Sequence, residues 1–221
     1  MGAFEGLRNY FNLPLQEYAA SLGYDRSNIL ILEGDETKLQ QEYPQIYANL
    51  TSCRHHSDRR SPIQYGQDLV ASWIFEDFFL KSMENNAFTI VLSGADRTRT
   101  ILANKRTSTS SDYVLTSSNG VQLKMELVND YTGFWYKNHK LHLRDNKYVQ
   151  LQRSQSLLLA IALTADIQKY TVFDFRANIP AKYIESHRPY GYKPAYELAI
   201  PREMLYDFTF ENVKEKLLSI L

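Results

Sequence analysis

The sequence predicts an α/β fold in which a central mixed β-sheet is flanked by helices. Three observations lead to this prediction. A long helical pattern at residues 66–83 precedes an apolar strand at Phe88–Leu92. A hairpin follows at residues 111–130. An apolar segment at 151–163, expected to be a buried helix, then leads to a strand at 170–175. Helices and strands that mix along the chain in this way are typical of layered α/β proteins.

The composition is that of an ordinary globular protein. The chain has 221 residues, 44% of them apolar, and its formal net charge is zero. A zero net charge argues against a histone-like binder, although local basic clusters can still form a nucleic-acid face. The single cysteine, Cys53, excludes an internal disulfide and fits a reducing compartment. With no apolar stretch long enough to span a bilayer and no leader, we expect a soluble cytoplasmic protein.

Residues 1–60 are expected to form an N-terminal helical extension. A helix is predicted near residues 15–22, and the apolar run at 29–32 fits either a strand or the end of a helix. Residues 37–50 are predicted to be helical, with an interruption near Pro44 because proline lacks the backbone N–H that a helix interior needs. No function is legible in this part of the chain.

The helix at 66–83 carries a carboxylate within an apolar pattern. Leu69 and Trp73 lie on one stripe of this helix, and Glu76 falls on the same stripe at helical spacing. A carboxylate on an apolar face needs a partner or a function, because a buried unpaired charge is unfavourable. Glu76 is therefore either a functional residue or one half of an ion pair with a basic residue at the edge of the helix.

The hairpin at 111–130 concentrates polar side chains on one face of a strand. Asn-Gly at the turn of 118–120 favours the positive φ angles of a tight hairpin. Gln122, Lys124 and Glu126 then alternate with apolar residues, and the turn folds the carboxylate of Asp112 back towards this polar row. Two carboxylates and a lysine can hold a divalent cation and a water beside a phosphate. The same alternation also fits an ordinary half-exposed sheet.

Basic residues are concentrated in three further segments, at 54–60, 97–106 and 187–193. Arginine, lysine and histidine side chains donate hydrogen bonds to phosphate oxygens, although solvated surface loops have the same composition. The candidate DNA contacts are Arg54, Arg59, Arg60, Arg97, Arg99, Lys105, Arg106, His187, Arg188 and Lys193. A strand near 196–200 and an amphipathic helix at 210–221, a candidate dimer contact, end the chain.

The order of these elements, with Glu76 on the helix and Asp112 and Glu126 on the hairpin, resembles the core of the PD-(D/E)XK nucleases over residues 66–175. The size of the chain and its Arg-, Tyr- and Pro-rich loops look most like a type II restriction endonuclease. The resemblance implies that Asp112 and Glu126 hold Mg²⁺ and that Glu76 assists. It also implies that a lysine two residues after the second acid orients the attacking water.

The sequence departs from the pattern of that family at the lysine, because Val128 stands in its place. An alternative register takes Gln122 as the second metal-side residue and Lys124 as the lysine. A lysine that has migrated elsewhere, such as Lys137 or Lys147, could also serve. If no lysine serves, the site would bind DNA without cutting it.

Together these inferences predict a single nuclease domain over residues 1–221, with a catalytic core at 66–175 and a DNA-contact and dimer segment at 176–221. The expected function is Mg²⁺-dependent, sequence-specific cleavage of double-stranded DNA by a homodimer, in a restriction system of the bacterial or archaeal cytoplasm. Two alternatives remain open: a DNA-repair or structure-specific nuclease with the same core, and a non-catalytic DNA-binding or protein-interaction module.

Overall fold

The computed structural model describes residues 2–11, 14–53, 59–84, 87–93, 98–101 and 111–221. The chain divides into two compact units. The helical unit comprises residues 1–81 and 95–108, and the sheet unit comprises residues 82–94 and 109–221. The division therefore falls near residue 81, whereas the sequence led us to separate an extension at 1–60 from the rest.

The described residues of the helical unit form six α-helices. They are α1 (Ala3–Tyr10), α2 (Leu15–Ser21), α3 (Arg26–Glu33), α4 (Glu36–Glu42), α5 (Pro44–Cys53) and most of α6 (Pro62–Met83). The apolar run at 29–32, which fitted a strand or a helix, lies in α3. The side chain of Asp25 caps this helix by accepting a hydrogen bond from the backbone N–H of Asn28 at 3.0 Å. Pro44 interrupts the predicted helix as expected, because it begins α5.

Helix α6 spans 22 residues and confirms the long helix predicted at 66–83. Trp73, Ile74 and Phe75 are consecutive and all fully buried, so apolar side chains are enclosed on more than one side of the helix. Gly66 allows α6 to approach α3 and α5 closely, because an added Cβ would lie 2.9 Å from Ile31 and 3.1 Å from Leu50. Within the described ranges, no helix is both long enough and apolar enough to cross a membrane.

The sheet unit contains two sheets and confirms the predicted α/β class. Its strands are β1 (Phe88–Leu92), β2 (Tyr113–Ser117), β3 (Gln122–Asp130), β4 (Lys140–Arg144), β5 (Leu157–Leu163), β6 (Gln168–Asp174), β7 (Ala181–His187), β8 (Lys193–Ala199) and β9 (Tyr206–Asp207). The larger sheet has the order β1-β2-β3-β5-β6-β9, and the smaller has the order β4-β8-β7. The larger sheet is mixed. Strands β3 and β5 pair in parallel, and every other pair of neighbouring strands in this sheet is antiparallel.

Three helices accompany these strands: α7 (Phe134–Asn138), α8 (Asp145–Ser154) and α9 (Phe210–Ile220). The connection from β3 to its parallel neighbour β5 passes through α7, β4 and α8. Helix α9 confirms the predicted C-terminal helix and buries Val213 and Leu217. The hydroxyl of Tyr170 on β6 donates a hydrogen bond to the Asn212 carbonyl at 2.9 Å, which ties α9 to the larger sheet.

The predicted hairpin is present between β2 and β3. Tyr113 lies opposite Met125 and Thr116 opposite Gln122, so the loop consists of residues 117–121 around the Asn-Gly pair. Gly120 has φ = 83°, whereas Asn119 is not among the described residues with positive φ. The sequence signal therefore identified the turn correctly, but only the glycine adopts the left-handed conformation.

The helix predicted at 151–163 is wrong over most of its length. Helix α8 ends at Ser154, Gln155 follows with φ = 49°, and Leu157–Leu163 is the strand β5, buried at every position. A strand covered on both faces shows no alternation of polar and apolar residues. Periodicity alone does not distinguish such an apolar run from a buried helix, which explains the error.

One face of the larger sheet carries the core that positions the candidate site. Leu158, Ala160 and Ala162 of β5 pack in one cluster with Tyr148 and Leu151 of α8. The cluster also includes Trp135, Leu141, Leu143, Phe173, Phe175, Leu198 and Ile200. Glu126 and Val128 of β3 lie opposite Leu158 and Ala160, so they share this face of the sheet with the cluster.

Candidate functional site

The structure places Asp112 and Glu126 side by side. Tyr113 of β2 lies opposite Met125 of β3, so one further step along the same register sets Asp112 opposite Glu126. The Oδ2 atom of Asp112 accepts a hydrogen bond from the backbone N–H of Leu127 at 2.9 Å, which fixes this carboxylate over β3. The hairpin therefore brings the two predicted acids together, as the sequence led us to expect.

Glu126 is a buried carboxylate with one oxygen unused. Its relative exposure is 1%, and its Oε1 atom has no hydrogen-bond partner among the described residues. Burial, together with the negative charge of the nearby Asp112, holds the pKa of Glu126 well above its usual range, although Lys147 acts in the opposite direction. Two carboxylates crowded in a desolvated place repel each other, so the arrangement favours a proton or a cation between them.

Lys147 is the cation that meets Glu126. It lies in the first turn of α8, and its Nζ atom donates a hydrogen bond to Oε2 of Glu126. The lysine side chain is 34% exposed, so its ammonium group reaches the buried carboxylate while remaining accessible to solvent. Among the lysines considered from the sequence, the structure brings Lys147 to the acid pair.

The other lysine candidates lie elsewhere. Val128, in the position expected for the lysine, is partly buried and packs against the apolar cluster of the sheet unit. Lys124 and Lys137 are exposed. Lys124 lines a pocket of about 310 Å³ together with Ser154 at the end of α8 and Gln155 after it.

The alternative register with Gln122 as a ligand is not supported by the strand pairing. Gln122 lies opposite Thr116, four residues from Asp112 along the hairpin. Four strand residues span about 13 Å, which is too far for Gln122 and Asp112 to bind the same ion. The pairing therefore favours Glu126 over Gln122 as the partner of Asp112.

Glu76 lies in the helical unit and has a partner there. Its Oε2 atom accepts a hydrogen bond from Nη1 of Arg99 at 2.6 Å, and Arg99 also pairs with the neighbouring Asp77. Tyr24 donates its hydroxyl hydrogen to Asp77 as well. Of the two alternatives for Glu76, the structure shows the ion pair. Its assisting role in catalysis stays a prediction.

Eight of the ten predicted DNA contacts fall into three groups. Arg54, Arg97, Lys105 and Arg106 lie outside the described residues. Arg59, Arg188 and Lys193 are exposed and remain candidates for contacts with phosphate. Arg60 is half-exposed and donates a hydrogen bond to Asp68 at 2.6 Å.

Two further predicted DNA contacts are largely buried and have protein partners, and their role towards DNA stays a prediction. The Arg99 side chain is only 13% exposed, because its guanidinium group is bound between Glu76 and Asp77. His187 is 7% exposed and hydrogen-bonded to His142. Neither side chain is presented to a DNA backbone, because each is desolvated and held by protein partners.

Sequence reasoning missed a cavity of about 240 Å³ at the end of β3. Val128 and Asp130 of β3 line it, together with aromatic and histidine side chains from α7, the smaller sheet and the turn after β7. The sequence offered one signal. His142 lies between Leu141 and Leu143 on β4, so alternation places it on the opposite face from these two leucines. Nothing in the sequence linked His142 to His187, 45 residues further on.

The two acids could hold a Mg²⁺ ion. No group of three or more His, Cys, Asp or Glu residues suited to a metal occurs in the described part of the chain, so the acids form a pair rather than a cage. Mg²⁺ is commonly bound by one or two carboxylates and keeps several of its waters. The unused Oε1 atom of Glu126 and the adjacent Asp112 supply such a donor set.

No protein-family model matches the sequence, and no curated protein matches it.

Proposed function

We propose that this chain is a Mg²⁺-dependent endonuclease that hydrolyses phosphodiester bonds in double-stranded DNA. The observation that carries the proposal is the meeting of Asp112, the buried Glu126 and Lys147. Two acids on neighbouring strands and an ammonium group beside them are the groups that metal-assisted hydrolysis requires. The order of α6, β1, β2, β3, α8 and β5 along the chain supports the proposed relation to PD-(D/E)XK nucleases.

In the proposed mechanism, Asp112 and Glu126 would hold the ion. The bound Mg²⁺ would lower the pKa of a water and neutralise negative charge on the phosphoryl oxygens. Leu127 fixes the orientation of Asp112 through its backbone N–H. Because Glu126 is buried, its interaction with a bound cation would be strengthened by the low local dielectric.

Lys147 would position the attacking water in place of the lysine that Val128 replaces. An ammonium group has three donors and no acceptor, so it can donate to Glu126 and still orient a water oxygen. Its partial exposure leaves room for that water. Holding the nucleophile in line beside its target is a large part of catalysis in hydrolytic sites.

The sequence-specific, dimeric form of this activity is part of the proposal. The exposed Arg188 and Lys193, at the turn between β7 and β8, are available to contact DNA. A two-fold protein would match a palindromic site, and α9 offers a helix for pairing two chains. A DNA-binding module without cleavage is the second candidate, favoured by the apolar Val128 at the lysine position.

The test is incubation of the purified full chain with plasmid DNA in Mg²⁺ or in EDTA. Discrete fragments that appear only with Mg²⁺ support the proposal. Glu126→Gln should abolish cleavage while DNA binding in Ca²⁺, measured by mobility shift, persists. Glu185→Gln is a matched control, because it makes the same chemical change at an exposed position of β7. Undiminished cleavage by Glu126→Gln would refute the assigned site, and binding without cleavage by the wild type would favour the module.

A further inference from the structure

The turn between β7 and β8, residues 188–192, presents an exposed aromatic ring. Tyr192 is 67% exposed, more than any other large hydrophobic residue in the described ranges. Its side chain makes no hydrogen bond and no ring contact with a described residue. A single exposed aromatic residue is not unusual by itself. The backbone at this position, however, is unusual for a tyrosine.

The backbone of Tyr192 is left-handed, with φ = 62°. This region crowds the Cβ atom of an L-residue against the backbone, so it suits glycine and is unfavourable for a bulky side chain. Gly191, the preceding residue, adopts the same region with φ = 68°. A tyrosine that is strained and whose side chain has no partner weakens the fold. Strained residues concentrate where a ligand is bound, which indicates a function for the Tyr192 ring.

Hydrogen bonds hold the β7–β8 turn in this conformation. The Gly191 N–H donates to the carbonyl of Arg188 at 3.0 Å. The Tyr192 N–H donates to the carbonyl of His187 at 3.1 Å. The hydroxyl of Tyr190 donates to a backbone carbonyl of β4 at 2.6 Å, and its ring centre lies 4.7 Å from that of His187. The turn is therefore anchored to the smaller sheet, so little order is lost when it binds a ligand.

Three cations at this turn have no ion-pair partner in the described part of the chain. Arg188 belongs to the turn, and Lys193 follows it at the start of β8. Arg144, on the neighbouring β4, has its guanidinium carbon 5.4 Å from the centre of the Tyr190 ring. All three residues are exposed, and residues 186–194 contain no Asp or Glu. The turn is therefore a local positive site in a chain without net charge, and it attracts polyanions.

We propose that the β7–β8 turn binds DNA by inserting the Tyr192 ring into a base step, with Arg188 and Lys193 on the flanking phosphates. An aromatic ring stacks on the face of any base, and inserted side chains open the base step beside them. Arginine and lysine supply sequence-independent contacts to the DNA backbone. The inference rests on the proposed function for its ligand, DNA, and adds a contact that would hold the duplex.

An anionic membrane is the competing partner, because tyrosine and basic residues also occur together at membrane surfaces. It fits the turn less well, since membrane binding grows with the apolar area that is buried. Residues 186–194 contain no Val, Leu, Ile, Met, Phe or Trp, so Tyr192 would supply most of the apolar contact. Stacking on a base, in contrast, needs one ring. Lipid vesicles therefore form a separate arm of the test.

The experiment measures binding of the full chain to two fluorescently labelled DNA duplexes by anisotropy, with Ca²⁺ in place of Mg²⁺. The duplexes have the same sequence, but one lacks a single nucleotide at its centre. The gap leaves the base step open, so insertion of a ring no longer has to unstack two bases. The wild type should therefore bind the gapped duplex about tenfold or more tightly than the intact one.

Tyr192→Ala removes the ring. It should weaken binding to the gapped duplex by about fivefold or more and reduce the preference for the gap to about twofold or less. Tyr192→Phe keeps an aromatic ring, so its affinity should stay within about twofold of the wild type. Tyr183→Ala is the matched control, because Tyr183 is 52% exposed on β7 and lies outside the turn. It should change neither the affinity nor the preference.

Tyr192→Gly separates binding from folding. Glycine removes the ring and relaxes the left-handed backbone, and this relief of strain offsets the greater freedom of glycine in the unfolded chain. We expect the urea midpoint of this variant to equal or exceed that of the wild type, while its DNA affinity falls as far as that of Tyr192→Ala. A clear fall in the urea midpoint would show that the ring stabilises the turn, and it would overturn the proposed contact.

Two binding results would also overturn the contact. In the first, Tyr192→Ala keeps the wild-type affinity and gap preference, or Tyr183→Ala loses them to the same extent. In the second, the wild type shows no gap preference on DNA but binds vesicles of phosphatidylcholine and phosphatidylserine, and Tyr192→Ala loses that binding. The second result would replace DNA with a membrane as the partner of the turn.

These outcomes are distinguishable from those of the proposed function, since binding is measured without cleavage. If plasmid is cut while Tyr192→Ala binds DNA like the wild type, the nuclease stands and the Tyr192 contact falls. If Tyr192→Ala loses affinity and gap preference while the wild type never cuts plasmid, the DNA contact stands and the nuclease assignment falls.

Discussion

Lys147 on α8 donates a hydrogen bond to the buried carboxylate of Glu126 on β3. The two residues are 21 positions apart, and they meet because the connection from β3 to its parallel neighbour β5 returns through α8. Helix α8 packs over the strand face that carries Glu126, through Tyr148 and Leu151 in the apolar cluster. The sequence alone did not pair Lys147 with an acid. The fold brings its ammonium group to Glu126.

Replacing Lys147 tests whether its contact with Glu126 matters for cleavage. Lys147→Met preserves the length of the side chain and removes its charge, so we expect cleavage to fall by about 100-fold or more, with DNA binding little changed. Initial rates of plasmid nicking under single-turnover conditions measure the effect. Lys182→Met, on the exposed face of β7, is the matched control.

Lys124→Met belongs in the same series, because Lys124 is the alternative from the sequence. It should leave the single-turnover rate within about threefold of the wild type, as expected for an exposed side chain away from the reacting groups. The opposite pattern, with Lys124→Met inactive and Lys147→Met active, would identify Lys124 as the functional lysine and reject Lys147.

Glu126→Gln should make the metal-free protein more stable even as it abolishes cleavage. Above about pH 8, where Glu126 is ionised, the substitution removes a buried negative charge beside Asp112 and keeps nearly the same volume. We therefore expect the free energy of unfolding to rise by about 1 kcal/mol in EDTA. Urea titrations of the two proteins in EDTA measure the difference, and Glu185→Gln should change it little. A clear loss of stability would mean that the ion pair with Lys147 outweighs the repulsion from Asp112.

The hairpin and its acids were predictable because local rules determine them. Asn119-Gly120 identified the turn, and alternation placed Glu126 on the polar row of β3. The pairing register then sets Asp112 opposite Glu126. Only residues close in sequence enter this reasoning, which is why it succeeded at 111–130.

Features that depend on tertiary contacts were not predictable in the same way. The seven residues of β5 are apolar throughout because both faces are covered, so they were mistaken for a helix. His187 and Arg99 looked like surface bases, yet His142 holds the first, and Glu76 and Asp77 hold the second. The sequence alone does not show whether a charged residue contacts solvent, DNA or another side chain.

Arg99 is expected to matter for stability rather than for DNA affinity. Arg99→Met leaves Glu76 and Asp77 without their cation, and these side chains are only about one-fifth exposed. Removing one partner of such a cluster should lower the free energy of unfolding by about 2–3 kcal/mol. Chemical denaturation measures it.

The matched comparison for Arg99→Met is Arg188→Met, which removes an exposed arginine from the turn after β7. It should leave stability within about 0.5 kcal/mol and weaken DNA binding, lowering the slope of log affinity against log salt by about 1. Should Arg99→Met lower that salt slope at unchanged stability, Arg99 would be a DNA contact after all.

The histidine pair predicts a loss of stability on mild acidification. His187 has a folded-state pKa below its usual 6.5, because burial and His142 oppose its charge. Above pH 6.5 neither state binds the proton, and stability is at its full value. As the pH falls through 6.5, the unfolded chain takes up a proton that the folded ring resists, so stability declines until the pH passes the folded pKa.

His142 and Tyr190 contact His187 directly. Glu197 contacts His142 in turn, and Lys140 forms an ion pair with Glu197. The pKa of Glu197 is lowered from 4.5, so its contribution to stability is present above 4.5 and is lost only in more acidic solution. Between pH 7 and pH 5, the decline specific to this cluster should therefore come from His187.

Thermal melts of wild type and His187→Phe at intervals over that range measure the effect. The melting temperature of the variant should fall less steeply with falling pH than that of the wild type. The variant lacks His187, which takes up a proton more readily in the unfolded chain than in the folded one. Equal slopes for His187→Phe and wild type would show that His187 titrates alike in the folded and unfolded states, contrary to the lowered pKa of the buried ring.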